Sequence, residues 1–274
     1  MSIRIAKREE GCHISSVQEF GGGASTSAAS LLFAPGDRPG AEHVRALAGL
    51  DTTFVISLEP SEEGAAPSGG AAHTVRWLEL LANGLAFDLE GLAPGESQPI
   101  PPRGYAYGLP AAFSQGPLEA ISLRPGPHIA AGGRMLPVVR GTAWLAARLS
   151  ALPNVQAVAW HPARTWSGPQ YFRESVVRWV EGGAFPGLGL TALAPTPEGG
   201  LQSEGLALFT GQELRLEPRL VVDRPAGARL ALRLLHWLVE NGRLEQQAAL
   251  TGPSGESLLL GASANGRFVD ARLA

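Results

Sequence analysis

The chain has 274 residues, of which 45% are hydrophobic and 17% charged, with a formal net charge of −3. This supplies enough apolar side chain for a sizeable core, excludes an intrinsically disordered chain, and leaves one large domain or two half-size units open. The small net charge excludes a global attraction to nucleic acid or anionic lipid, and 35 glycines with 22 prolines exclude long helical bundles by imposing frequent turns.

Residues 1–29 read as a flexible arm that ends in the small-residue stretch Gly21 to Ser27. Its charged start, with Arg4, Lys7, Arg8, Glu9 and Glu10, lacks the apolar core of a secretory signal, so a cytoplasmic protein is expected. Lys7 is the only lysine, the other 21 basic residues being arginine. A Walker phosphate loop, a kinase-type ATP site or a lysine Schiff base therefore finds no lysine inside the fold. Cys12 is the only cysteine, which rules out an intrachain disulfide or a zinc ribbon.

A first unit follows over 30–94. Ser30 to Phe33 reads as a strand, Ala41 to Leu50 as a helix, Thr53 to Leu58 as a strand stopped by Pro60, and Ala72 to Ala82 as a helix. A polar loop through Glu62, Glu63 and Gly70 leads into that second helix, and Asn83-Gly84 reads as its stop before a strand at Leu85 to Glu90. A Pro- and Gly-rich connector then spans 95–117.

The same order recurs over 118–195: strand Leu118 to Leu123, a helix opened by Pro137, an apolar strand over 155–160, a helix carrying Val176, Val177 and Trp179, and a strand at Leu188 to Leu193. Laid on each other at an offset of about 102 residues, the two passes match Leu47 with Leu149, Pro60 with Pro162, and Val75 to Glu79 with Val177 to Glu181. Internal duplication is the preferred account. Over 196–274 the pattern changes to a strand at Leu201 to Phe209, a helix opened by Pro225 with Leu230, Leu234, Trp237 and Leu238 on one face, and three short strands with Asn265-Gly266 among their turns. The expected fold is α+β: two duplicated β-α-β-α-β units of ferredoxin-like flavour sharing a core, followed by a helix and a C-terminal antiparallel meander.

Most catalytic signatures fail for a nameable reason. Ser203 lacks the glycine two positions before it that a nucleophile elbow needs. Gly187 to Ala192 follows a helix and alternates like a strand, so it lacks the strand-to-helix context of a dinucleotide fingerprint. The six histidines form no i, i+4 pair, and Glu204 with Glu213 would be an acid/base pair only if the fold closed them together. No cofactor or metal is expected.

One constellation survives. The strands of a strand-helix-strand unit run parallel, so the loops leaving their carboxyl ends meet on one edge of the sheet. In the second unit those loops carry Arg124, His128, Gly132, Gly133 and Arg134, and then His161, Arg164 and Trp166. Guanidinium forks and free backbone N–H groups converging there would suit a phosphate or carboxylate. The first unit has Asp37, Arg38, Glu59, Glu62 and Glu63 at the equivalent edge, so the two copies differ in charge where a site would lie.

The stretch from Leu118 to about Phe268 resembles an uncharacterised bacterial family, domain-of-unknown-function family 4261. The resemblance rests on Leu136-Pro137-Val138-Val139-Arg140, Val158-Ala159-Trp160-His161-Pro162, Gly205 to Leu214, and the helix ending Val239-Glu240-Asn241-Gly242. It implies a bacterial α+β protein without an assigned activity and contributes no catalytic residue. The functional expectation is a non-catalytic binding or interaction module with a protein partner or a small anionic ligand, and with no nucleic-acid or membrane partner. The alternative is an enzyme acting on a phosphorylated or carboxylated small molecule at the Arg124, His128, His161, Arg164 edge.

Overall fold

The computed structural model describes residues 28–59, 77–111, 113 and 116–274. Residues 1–27 of the expected arm, the polar loop through Glu62 and Gly70, and the residues Pro60, Val75 and Arg76 lie outside the described residues, while Ala29, expected to close the arm, begins a strand. The chain is α+β and builds two sheets.

The larger sheet has eight strands. They are β1 (Ala29–Phe33), β2 (Phe54–Leu58), β3 (Trp77–Ala82), β4 (Leu85–Glu90), β5 (Tyr105–Tyr107), β6 (Glu119–Pro125), β7 (Ala157–Trp160) and β8 (Thr165–Ser167), in the spatial order β2-β3-β4-β6-β1-β7-β8-β5. β1 is antiparallel to both β6 and β7, so β6 and β7 are parallel with β1 inserted between them. Four helices accompany this sheet: α1 (Ala41–Leu50), the single turn α2 (Pro127–Ala130), α3 (Leu136–Leu149) and α4 (Pro169–Val180). α3 and α4 lie side by side, and they help bury the face that carries Leu31, Phe33, Phe87, Leu89, Ile121, Leu123, Val158 and Trp160. The strands expected in the first unit and the first two expected in the second therefore share one sheet and one core, while the strand expected at 188–193 does not join them.

The expected helix at 72–82 is corrected: Trp77–Ala82 is strand β3, paired antiparallel with β4 from Trp77↔Glu90 to Ala82↔Leu85. Leu78, Leu80 and Ala82 are buried while Leu81 is exposed, which is the period of two that a half-buried strand requires. Asn83 and Gly84 both have positive φ, 52° and 76°, and form the two-residue turn whose twist suits a hairpin. The same dipeptide that ends a helix thus turns a strand. Over its described part, the match of Val75–Glu79 with Val177–Glu181 sets a strand against a helix.

The second sheet has the order β12-β13-β14-β11-β10-β9, built from β9 (Ala192–Pro195), β10 (Leu201–Glu204), β11 (Glu213–Leu216), β12 (Ala248–Thr251), β13 (Ser257–Ala262) and β14 (Phe268–Leu273). The C-terminal three form the expected antiparallel meander, and β14 joins the rest through a parallel pairing with β11. The expected strand at Leu201 to Phe209 stops at Glu204. Gly205 has φ +91°, and a Cβ there would lie 2.8 Å from Cβ of Ala163, so the chain turns away into the short helix α5 (Ala207–Thr210). Likewise Leu188 to Thr191 form turns, and the strand expected there begins at Ala192.

α6 (Arg224–Asn241) packs Leu230, Leu234, Leu235 and Leu238 on Leu214, Leu216, Leu258, Leu260 and Val269 of the second sheet. Its N-terminus is capped by the Asp223 carboxylate, which accepts from the amide of Ala226 at 3.0 Å. The helix and meander thus have a core of their own instead of extending the first. Val239 packs against both cores, and α5 gives Leu208 to the first while the preceding Leu206 goes to the second.

Among the described residues no helix is long and apolar enough to cross a membrane.

Candidate functional site

Because β6 and β7 run parallel, the loops after them leave from one edge of the larger sheet, and the expected site residues divide there into three groups. Even-numbered positions of β6 and odd-numbered positions of β7 and its continuation face away from the helices. They place Ser122, Arg124, Ala159 and His161 on the outer face of the sheet, with Ser30 of β1 between the two strands.

The first group is Arg124, His128 and His161. Arg124 stands opposite Asp88 in the β4–β6 register and forms an ion pair with Glu90. His161 Nε2 lies 2.8 Å from Ser30 Oγ. Burial pushes the His161 imidazole down to about 4, helped by the charge of nearby Arg124. His161 is thus neutral near pH 7. Burial and the neighbouring Glu90 raise the pKa of Asp88, while Arg124 and His128 act against that rise. The Asp88 Oδ1 atom is buried without a hydrogen-bond partner among the described residues.

The second group turns toward the junction with the other sheet. Arg164 has φ 51°, and this left-handed residue redirects the chain between the 3₁₀ turn at His161–Ala163 and β8. Its guanidinium forks onto Glu204, with Nη2 to Oε2 at 2.8 Å, and Tyr105 donates its hydroxyl to the same carboxylate at 3.1 Å. Arg134 reaches the Ala207 carbonyl at 3.4 Å. Trp166, alone in the third group, is buried on the outer face with Leu32, Ala120, Ala157 and Ala159. Phe113 meets it edge-on at 6.2 Å, Arg103 lies 5.6 Å above its ring, and Leu109 and Leu118 cover the cluster. The Pro- and Gly-rich connector therefore serves as the cover of this half of the outer face.

The arrangement neutralises two of the three arginines of the expected anion site. Arg124 and Arg164 each have a carboxylate of this chain on them, from Glu90 and Glu204, elements that sequence spacing does not relate to these loops. Ser30 beside a neutral histidine has the composition of a nucleophile pair, but its exposure is 0%, and a nucleophile needs an approach path. Glu204 and Glu213 do not form an acid/base pair. Glu213 is turned inward, accepting from Ser203 Oγ at 2.5 Å and from the amides of Gly205, Leu206 and Ala207 at 2.9, 3.2 and 3.0 Å, so it holds the start of α5. Among the described residues no group of three His, Cys, Asp or Glu side chains is placed to hold a metal ion.

The other half of the outer face is uncovered by described residues and carries an apolar group that sequence reading missed. β2 is the terminal strand, and Val55, Leu58 and Leu81 are 51%, 50% and 39% exposed beside half-buried Trp77. Val55 pairs with Leu81 and Leu58 with Glu79, a one-residue bulge at Ser57 bringing Leu58 onto the outer face. The signal for this group is the alternation in Trp77–Ala82, which a helical reading conceals.

Comparison with protein-family profiles, with curated proteins and with solved structures finds no match to this chain.

Proposed function

We propose that this protein is a non-catalytic interaction module of the cytoplasm that receives an extended segment of a partner protein along β2. The observation that carries the reading is the apolar outer surface of a terminal strand. Val55, Leu58 and Leu81 are presented there without the lysine or proline by which edge strands are commonly blocked. An added strand would satisfy, with main-chain hydrogen bonds, the edge of β2 that no described strand pairs, while its alternate side chains would rest on this apolar group. The neutralised Arg124 and Arg164 and the full burial of Ser30 beside His161 weigh against the enzymatic alternative at the carboxyl-end edge. Kinship with domain-of-unknown-function family 4261, proposed from the motifs within 118–268, adds no activity to this reading.

The test is a photo-crosslinking amino acid placed at Val55 and, as a control, at Arg229 on the exposed face of α6. A discrete adduct formed in cells from position 55 and lost on Leu81→Lys is the expected result. Adducts of equal yield from both positions, or none from position 55, would overturn the proposal.

A further inference from the structure

The outer face of the second sheet, opposite α6, holds a cleft of about 620 Å³. Its floor and walls include Gln202 of β10, Arg215 of β11, and Asp270 and Arg272 of β14, closed on one side by the β9–β10 turn and Pro218. A smaller hollow of about 320 Å³, lined by Glu245, Gln247 and Gly261, adjoins it and shares Asp270 and Arg272. The larger volume lies in the range of pockets that enclose small organic ligands.

Five charged side chains line the cleft, Arg215 and Arg272 with Asp270, Glu198 and Glu217, and of the three carboxylates Glu217 is engaged by the Leu273 amide at 2.7 Å. Arg215 is held in place: its Nε donates to Gln202 Oε1 at 2.9 Å and its guanidinium carbon lies 3.3 Å from the Phe268 ring centroid. Those contacts leave its terminal nitrogens without a hydrogen-bond partner among the described residues. Asp270 stands opposite Arg215 in the β11–β14 register and two positions before Arg272. Neither its carboxylate nor the Arg272 guanidinium has a hydrogen-bond or ion-pair partner among the described residues. At the edge of the first sheet Arg124 and Arg164 are each paired with a carboxylate. A guanidinium fork matches a carboxylate with two parallel hydrogen bonds, and a free aspartate beside it matches an ammonium group.

We infer that this cleft binds a small zwitterion, namely a short peptide, with the peptide carboxylate on Arg215 and Arg272 and its terminal ammonium on Asp270. A ligand carrying one charge of each sign uses both arginines and Asp270, whereas an anion alone would be placed against the carboxylates of Asp270, Glu198 and Glu217. This is a site separate from the β2 surface, on the other sheet.

The experiment is a titration of the full, isotope-labelled chain followed by NMR, using L-alanyl-L-alanine, its N-acetyl form, its C-terminal amide and inorganic phosphate. Saturating shifts confined to β10, β11 and β14 are expected with the dipeptide, weakened at least about tenfold by acetylation or amidation, the loss of one good ionic contact. Asp270→Asn should remove the preference over the N-acetyl form, and Arg272→Gln should weaken both. Both residues are exposed, so these variants keep the fold, which the spectra themselves report. Absence of a saturating shift with the dipeptide, equal binding of the acetylated form, or an equal response to phosphate would overturn the inference.

Discussion

His161 Nε2 and the Ser30 hydroxyl, 2.8 Å apart, tie the end of β7 to β1 on the outer face of the larger sheet. Burial and Arg124 hold the imidazole at about 4, against an ordinary value of 6.5. Between those two values the unfolded chain takes up a proton that the folded chain refuses. Stability is therefore fully present above pH 6.5 and falls as the pH drops toward 4, by about 3 kcal/mol at the acid limit. Urea unfolding at neutral pH and again midway through that window should show a larger fall for the native chain than for His161→Gln. Equal falls would show that another group takes up the proton.

Arg148 holds the Asp51 carboxylate just past the end of α1 by an ion pair, and Thr53 donates to the same group. Burial opposes ionisation of Asp51, but the hydrogen bonds from Arg148 and Thr53 outweigh it and keep its pKa below the usual carboxylate value. Arg148→Met leaves a largely buried carboxylate without its cation, at a cost of roughly 2–4 kcal/mol. The folded pKa of Asp51 is depressed, so its contribution is present above the unfolded value and is lost as pH falls through the folded one. The gap between native and variant midpoints should accordingly narrow in acid; a gap independent of pH would place the cost in lost packing.

Glu213 answers four donors around the start of α5. Glu213→Ala strands the Ser203 hydroxyl and three amides together and should lower stability by about 2–4 kcal/mol in chemical denaturation. Glu213→Gln keeps one acceptor oxygen and should recover part of that loss. A silent Glu213→Ala would mean that α5 holds without it.

Gly84 gives a cleaner test of backbone conformation alone. A Cβ there would meet nothing within 4 Å, yet its φ is +76°, so Gly84→Ala should cost about 1 kcal/mol through strain with no steric clash. A neutral or stabilising change in thermal unfolding would show that position 84 does not hold the left-handed conformation.

What the sequence shows follows from whether the relevant contacts are local. α1, α6 and the meander are legible because a 3.6-residue stripe, a Pro at the start and turn residues between short alternating runs all lie within about 20 residues of one another. Trp77–Ala82 reads equally as a helix because Trp77, Leu78 and Leu81 satisfy a helical face as readily as Leu78, Leu80 and Ala82 satisfy a strand. The break at Gly205 is set by Ala163, about 40 residues away, and could not be seen. At the expected site, the parallel run of β6 and β7 was enough to foresee Arg124 and His161 at one edge. The carboxylates that neutralise Arg124 and Arg164 come from β4 and β10, and nothing in the local spacing announces them.

The insertion of β1 between β6 and β7 bears on how the molecule can be cut. A fragment beginning at Leu118 would retain α3, both parallel strands and the whole second sheet, yet β6 and β7 would stand two strand spacings apart, roughly 10 Å, with facing rows of main-chain groups unsatisfied. Residues 118–268 are thus no autonomous folding unit in this protein. Its sheet is completed by a five-residue strand synthesised some 85 residues earlier, and supplying that strand as a separate peptide should restore what the truncation removes.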